Sequence, residues 1–288
     1  FIWIGDILHT YALLGLVLVL GFSRLKDRWV WVAFALTMIV PPVINLSRLP
    51  LMTPAFLQHE LDVMKAYEAS TNQAFGHGSF LQMVRENMRV FEFGYLDPLA
   101  LPSTINNYLL IASTMLLGLL AGRHRLIQRA SEFLPTLWRL LWISLAVGLV
   151  LGGFFTWCFE QYQPLKIQWT DFAGGMAYRL CRLALTLFYV CAILLLLQKP
   201  RWKQRLSCFA LTGRMALSNY LLQTAVGLTV FYGWGFGLWN RVGPLMVLVG
   251  AVAFYFAVQV PLSRWWLARR RFGPMEWLWR ALTYGRMP

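Results

Sequence analysis

The sequence predicts an all-α, polytopic transmembrane helix bundle, and three observations carry that expectation. Of 288 residues, 58% are apolar and 13% charged, with a mean hydropathy of +0.55, whereas a soluble domain carries about 25% charged residues. Stretches without a charged residue run 7–23, 29–47, 98–122, 140–159, 183–198, 215–240 and 242–263. Each is near the roughly 17–25 residues that take a helix across a hydrocarbon core of about 30 Å. The stretches are continuously apolar, which excludes membrane strands, because those alternate polar and apolar positions. The expectation is seven spans in one membrane domain, 1–288.

Charge orients the spans. Lys and Arg exceed Asp and Glu by 26 to 12, a net charge of +14. The connections 24–28, 123–139 and 199–205 and the tail from Arg264 hold 17 basic and 3 acidic residues, and everything else holds 9 of each. The surplus therefore sits on alternate connections, as the positive-inside bias requires if these are cytoplasmic. Bases spaced between apolar runs argue against nucleic acid as the partner; anionic lipid headgroups or an anionic cytoplasmic substrate suit them. Phe1 and the loop 48–97 then face outward, and the tail 264–288 lies at the inner interface. The chain opens on Phe1-Ile2-Trp3-Ile4, already apolar and without an initiator Met, as expected of the remainder of a longer chain.

Taken in order, the first span carries Asp6 and His9, three apart and so on one helical face. Either the carboxylate orients the imidazole as a general base, or Asp6 caps the helix and His9 sits at a wet interface. The loop after the second span holds two amphipathic patterns. Thr53-Pro54 reads as N-cap and N1 of a short helix with Leu57, Leu61 and Met64 on one face; Ser79 to Gln82 reads as a capping box before Leu81, Val84, Met88 and Phe91. His77, between Gly76 and Gly78, either reaches a pocket or is solvated. At the fifth span Arg179 and Arg182 are again three apart. They hold an anionic acceptor, pair with Asp171 or Glu160, or snorkel to the outer interface.

In the sixth span Thr212, Ala216, Asn219, Tyr220, Gln223 and Gly227 share a stripe at 100° per residue. Such a stripe lines a cavity or packs against another helix through small and amide-bearing residues. Arg214 lies off it, placed to snorkel or to grip a phosphate. The tail 272–285 reads as a short interfacial helix with Pro274 at N1, a Glu276–Arg280 pair, and Trp277 and Trp279 in the interfacial belt. The four Cys and four His show no ligand spacing, so neither a disulfide framework nor a metal site is indicated.

Three blocks, GDILHTYALLG (5–15), GRMALSNYLLQ (213–223) and FGPMEWLWRALTYG (272–285), together resemble the YeiB-like family of bacterial inner-membrane proteins, domain of unknown function 418. The resemblance implies further helices ahead of the first block. It also implies a distant similarity to transmembrane acyltransferases, which pass an acyl group from cytoplasmic acyl-CoA to an extracytoplasmic acceptor. On that analogy no cofactor is bound and acyl-CoA is the donor. Asp6 and His9 would be catalytic, and Arg179, Arg182, Arg214, Asn219, Tyr220 and Gln223 would bind substrate in a cavity between the first and sixth spans. The alternative is a small-molecule or lipid transporter using the same polar stripe without covalent chemistry. Asp6, Gly213, Arg214, Asn219, Tyr220, Gln223, Glu276, Trp277 and Arg280 coincide with the family pattern; Arg179 and Arg182 do not.

Overall fold

The structure, a computed structural model, describes residues 6–163, 165, 166 and 168–285, and among them every extended element is helical. In chain order the helices are α1 (Leu8–Val17, continued by a π turn Leu18–Phe22), α2 (Asp27–Ser47), α3 (Pro54–His77), α4 (Phe80–Leu96), α5 (Leu101–Arg123), α6 (Leu134–Glu160), α7 (Trp169–Leu197), α8 (Pro200–Arg214), α9 (Ala216–Phe231), α10 (Pro244–Phe254), α11 (Val260–Leu267) and α12 (Pro274–Tyr284). A π turn, Tyr255–Gln259, joins α10 to α11 just before Pro261, whose missing N–H interrupts the helical ladder.

Among the described residues, five helices are long and apolar enough to cross a bilayer: Asp27–Leu51, Leu101–Arg123, Ala130–Glu160, Trp169–Leu197 and Pro244–Leu267. Five of the seven expected spans are thus matched by a helix of full membrane length. The stretch 215–240 contains a helix of only 16 residues, about 24 Å long. The remainder folds back: the Gly233 N–H donates to the Phe75 carbonyl, and those of Phe236 and Trp239 to Thr229 and Phe231. The stretch 7–23 yields the short apolar helix Leu8–Phe22. An uncharged run measures the absence of charge, and turn residues are counted within it.

Among the described residues the chain divides into two compact units, one containing 6–66 and 89–198, the other 67–88 and 199–285. In the first, α6 and α7 approach closely at glycines. A Cβ on Gly148 would stand 2.7 Å from Leu185 Cδ2, and one on Gly174 2.8 Å from Cys158 Cβ, the small-residue packing expected between membrane helices. Val30 of α2 packs against Leu116 and Leu120 of α5. Asp27 joins the same helices at one end, accepting from Arg123 at 2.6 Å and meeting His124 Nε2 at 2.8 Å. In the second unit Phe75, Met83, Leu228 and Tyr232 form the core, with Trp239 packed against it.

The caps of α3 and α4 lie where the sequence puts them. The Phe56 N–H donates to Thr53 Oγ1, the Ser79 N–H to Gln82 Oε1 and the Gln82 N–H to Ser79 Oγ. The helices are longer than the short ones expected, 24 and 17 residues. Met83 and Asn87 are buried while Leu81 and Met88 are exposed, because apolar periodicity alone does not distinguish a core face from another apolar surface. His77 is exposed.

Candidate functional site

The most distinctive polar site lies in the unit of α2, α5 and α7. α7 starts with a capping box in which the Gln168 N–H donates to Asp171 Oδ2. From there the spacing of four, four and three puts Asp171, Gly175, Arg179 and Arg182 on one helical stripe. Opposite stand Asn106 and Asn107 of α5 and Asn45 of α2, and the groups enclose a cavity of about 240 Å³. Pro41 and Pro42 lie within α2, so the carbonyls of Thr37 and Met38 lack their helical donors beside the cavity wall that Pro42 forms.

Arg179 is 7% exposed. Its Nη2 donates to Asn106 Oδ1 at 2.5 Å, and its Nη1 is buried with no hydrogen-bond partner. The guanidinium thus turns to an amide, neither to Asp171 nor to Glu160, and its burial is the opposite of snorkelling. Arg182 lines the same cavity but is exposed, its Cζ 5.5 Å from the Tyr178 ring centroid. A buried guanidinium with an open N–H edge and neighbouring amides is suited to a carboxylate or phosphate oxygen, because arginine presents a rigid fork of donors and keeps its charge.

His9 belongs to the same unit but makes a separate constellation. Its Nε2 is 2.7 Å from Tyr95 OH and 3.2 Å from Thr10 Oγ1, and Tyr95 OH is 2.8 Å from Tyr108 OH. Burial first, and then the Tyr108 hydroxyl, pushes the Tyr95 phenol above its ordinary range. Tyr95 therefore stays protonated at neutral pH. Asp6 Oδ1 accepts the Leu8 N–H at 3.1 Å, a helix-start contact, and Gly5 lies outside the described residues. Tyr108 is two residues from Asn106, about 160° round α5, so the His9 relay and the Arg179 cavity occupy opposite sides of that helix.

Asn219, Tyr220, Gln223 and Arg214 belong to the other unit. The expected single stripe is broken at Met215 (φ −114°, ψ 32°), where α8 ends and α9 begins. Side chains still bring its members together. Asn219 Nδ2 donates to the Thr212 carbonyl at 3.2 Å and to Ser263 Oγ at 3.1 Å, Gln223 Nε2 to Gln259 Oε1 at 2.6 Å, and Gln259 Nε2 to the Asn219 carbonyl at 2.8 Å. Thr212 Oγ1 meets Tyr255 OH at 2.8 Å. Both Asn219 amide hydrogens are committed, which is how a packing network looks; an oxyanion donor needs a free one. Tyr220 is half-buried on α9, and Arg214 Nη2 donates to the Arg271 carbonyl.

Glu276, expected to pair with Arg280, instead caps α9. One carboxylate oxygen accepts the Ser218 N–H at 3.0 Å and the other the Ser218 hydroxyl, while Arg280 lies over Phe272 at 4.5 Å. This links the second and third sequence blocks physically.

Residue-type reasoning missed Asn106, Asn107, Tyr95, Tyr108, Gln259 and Ser263. A signal existed for the paired asparagines inside an uncharged stretch and for Gln259 and Ser263 four apart. None existed for the tyrosines, whose pairing is tertiary.

A family model described as "Protein of unknown function (DUF418)" matches residues 121–286, more than half of the chain. The chain belongs to the DUF418 family. It is 30% identical to "Uncharacterized protein YxaH" of Bacillus subtilis over 98% of this chain and 67% of that protein. It is 32% identical to an "Uncharacterized 39.9 kDa protein in amylase 3'region" of Bacillus acidopullulyticus over 60% of this chain and 51% of that one. Against "Uncharacterized protein YeiB" of Escherichia coli the identity is 43% over 30% of this chain and 21% of that protein. The chain thus spans between about a fifth and two thirds of the length of these relatives. No solved structure matches it.

Proposed function

We propose that this DUF418 protein is a multi-pass protein of the bacterial cytoplasmic membrane that binds a small anionic molecule at Arg179 and passes it across or out of the bilayer. Its Arg-rich connections and C-terminal tail face the cytoplasm, an orientation in which the 16-residue α9 crosses along with the five longer helices, and its partners are membrane lipids and this ligand. The observation that carries the reading is the buried Nη1 of Arg179, unpartnered at a cavity of about 240 Å³. A buried donor left open costs about 1–3 kcal/mol, a cost that an anionic oxygen at the cavity removes.

A second reading, acyl transfer, is favoured by the His9–Tyr95–Tyr108 relay. There His9 takes the proton of an acceptor hydroxyl, the acceptor oxygen attacks the thioester carbonyl of a cytoplasmic acyl-CoA, and the C–S bond breaks to release the thiol. Liposomes containing the purified protein separate the two. The first reading expects labelled succinate or glycerol 3-phosphate to enter unchanged, with entry lost in Arg179→Gln and kept in His9→Gln. An acylated acceptor formed from enclosed acetyl-CoA, dependent on His9 and indifferent to Arg179, overturns it in favour of the second.

A further inference from the structure

Two adjoining hollows in the unit of α8–α12 have no part in the Arg179 reading. The larger, about 670 Å³, is lined by the consecutive Arg269, Arg270 and Arg271 with Trp266, Phe272 and Trp277. The smaller, about 330 Å³, runs between α9 and α11 and is apolar, with Leu221, Leu222, Leu262 and Trp265 in its wall. They are neighbours, with Trp266 and Pro274 in the walls of both.

Charge is one-sided at this junction. The Arg271 and Arg280 guanidiniums lie 5.4 and 4.5 Å from the Phe272 ring centroid, Arg269 lies 4.8 Å from that of Trp265, and Arg214 binds the Arg271 carbonyl. The one acidic side chain of the segment 264–285, Glu276, has both oxygens engaged by Ser218. The arginines are therefore not neutralised by it. A cationic hollow beside an apolar groove, at the end of a membrane-length helix, matches one molecule with an anionic head and a hydrocarbon chain.

We propose that the two hollows together hold one anionic phospholipid, its phosphate diester against Arg269–Arg271 and an acyl chain along α9 and α11. Arginine forks grip phosphate oxygens in pairs, and tryptophans suit the level of the headgroups. A basic residue near an anionic headgroup is worth roughly a fivefold preference, so three give ample room for selectivity. The groove sets the source: a free phosphate has no use for Leu221, Leu222 and Leu262.

Native mass spectrometry of the purified protein with phosphatidylglycerol and phosphatidylcholine of matched chains tests this. The expected result is at least about tenfold preferential retention of phosphatidylglycerol, falling to near parity in R269Q/R270Q/R271Q. The charge-matched variant R201Q/K203Q/R205Q on α8 should keep the preference, and a folded protein of unchanged thermal midpoint in both variants makes the comparison valid. Should the triple variant not fold, R270Q alone should reduce the preference several-fold. Equal retention of the two lipids, equal loss in both triple variants, or displacement of phosphatidylglycerol by millimolar inorganic phosphate overturns the proposal.

Discussion

Replacing Glu276 by alanine removes the cap of α9. The carboxylate accepts the Ser218 N–H at 3.0 Å and the Ser218 hydroxyl, and that hydroxyl in turn accepts the Met275 N–H at 3.1 Å. A hydrogen bond to a charged group contributes about 1.5–3 kcal/mol, and an anion at a helix N-terminus about 0.3–1 kcal/mol. Water replaces part of this at a half-buried site, leaving a net loss of about 2 kcal/mol, or roughly thirtyfold in the local opening equilibrium. Hydrogen exchange in detergent reads it directly. Amides of the first turn of α9 and of α12 should exchange roughly thirtyfold faster in Glu276→Ala, those of α6 and α7 should be unchanged, and Glu276→Gln should fall between because its amide oxygen still accepts one bond. Unchanged protection of Ser218 and its neighbours in Glu276→Ala would refute the capping assignment. Faster exchange throughout the chain would refute its local character.

Other outcomes follow from the same geometry. Gln259→Leu, at a fully buried position, leaves the Gln223 Nε2 donor without its acceptor and should cost about 1–3 kcal/mol; the Gln223→Leu/Gln259→Leu double variant should cost less than the sum of the singles in thermal unfolding. Gly233→Ala would put a Cβ 2.8 Å from the Gly76 carbonyl oxygen and the His77 backbone, and should cost about 1–3 kcal/mol by overpacking, seen as a lower unfolding midpoint. The raised Tyr95 phenol favours the protonated form in the folded state. Its contribution is complete below the ordinary tyrosine value near 10 and is lost as pH rises through the folded value. Thermal midpoints between about pH 9 and pH 12 should therefore fall more steeply in the wild type than in Tyr95→Phe, and parallel curves would contradict the coupling.

What the sequence made legible was local. The capping box at Ser79–Gln82 and the Thr53 cap depend on residues three apart, and both form as read. Arg179 and Arg182 drew notice because charge at a membrane edge is costly wherever it occurs, and both line one cavity. The cavity itself was not legible, since Asn106 lies 73 residues from Arg179 and nothing in either segment announces the other. The same holds for Glu276 and Ser218, 58 residues apart. The break at Met215 was hidden because the flanking residues all tolerate helix; the start of α9 depends on a carboxylate supplied from α12. Uncharged length exceeds helix length where glycines at 233, 235 and 237 turn an apolar run back on itself without any charge to mark the turn.

Anion binding at Arg179 in the α2, α5 and α7 cavity is read by thermal unfolding of wild type and Arg179→Gln in detergent. The panel is sodium succinate, acetate, phosphate and glycerol 3-phosphate at matched ionic strength. At least one anion should raise the wild-type midpoint, and none should raise that of Arg179→Gln, whose anion-free midpoint should stay close to the wild-type value because a buried charge with an open N–H contributes little to stability. A shift that persists in Arg179→Gln, or a variant several kcal/mol less stable with no anion shift in either protein, would make Arg179 a structural group and contradict the claim.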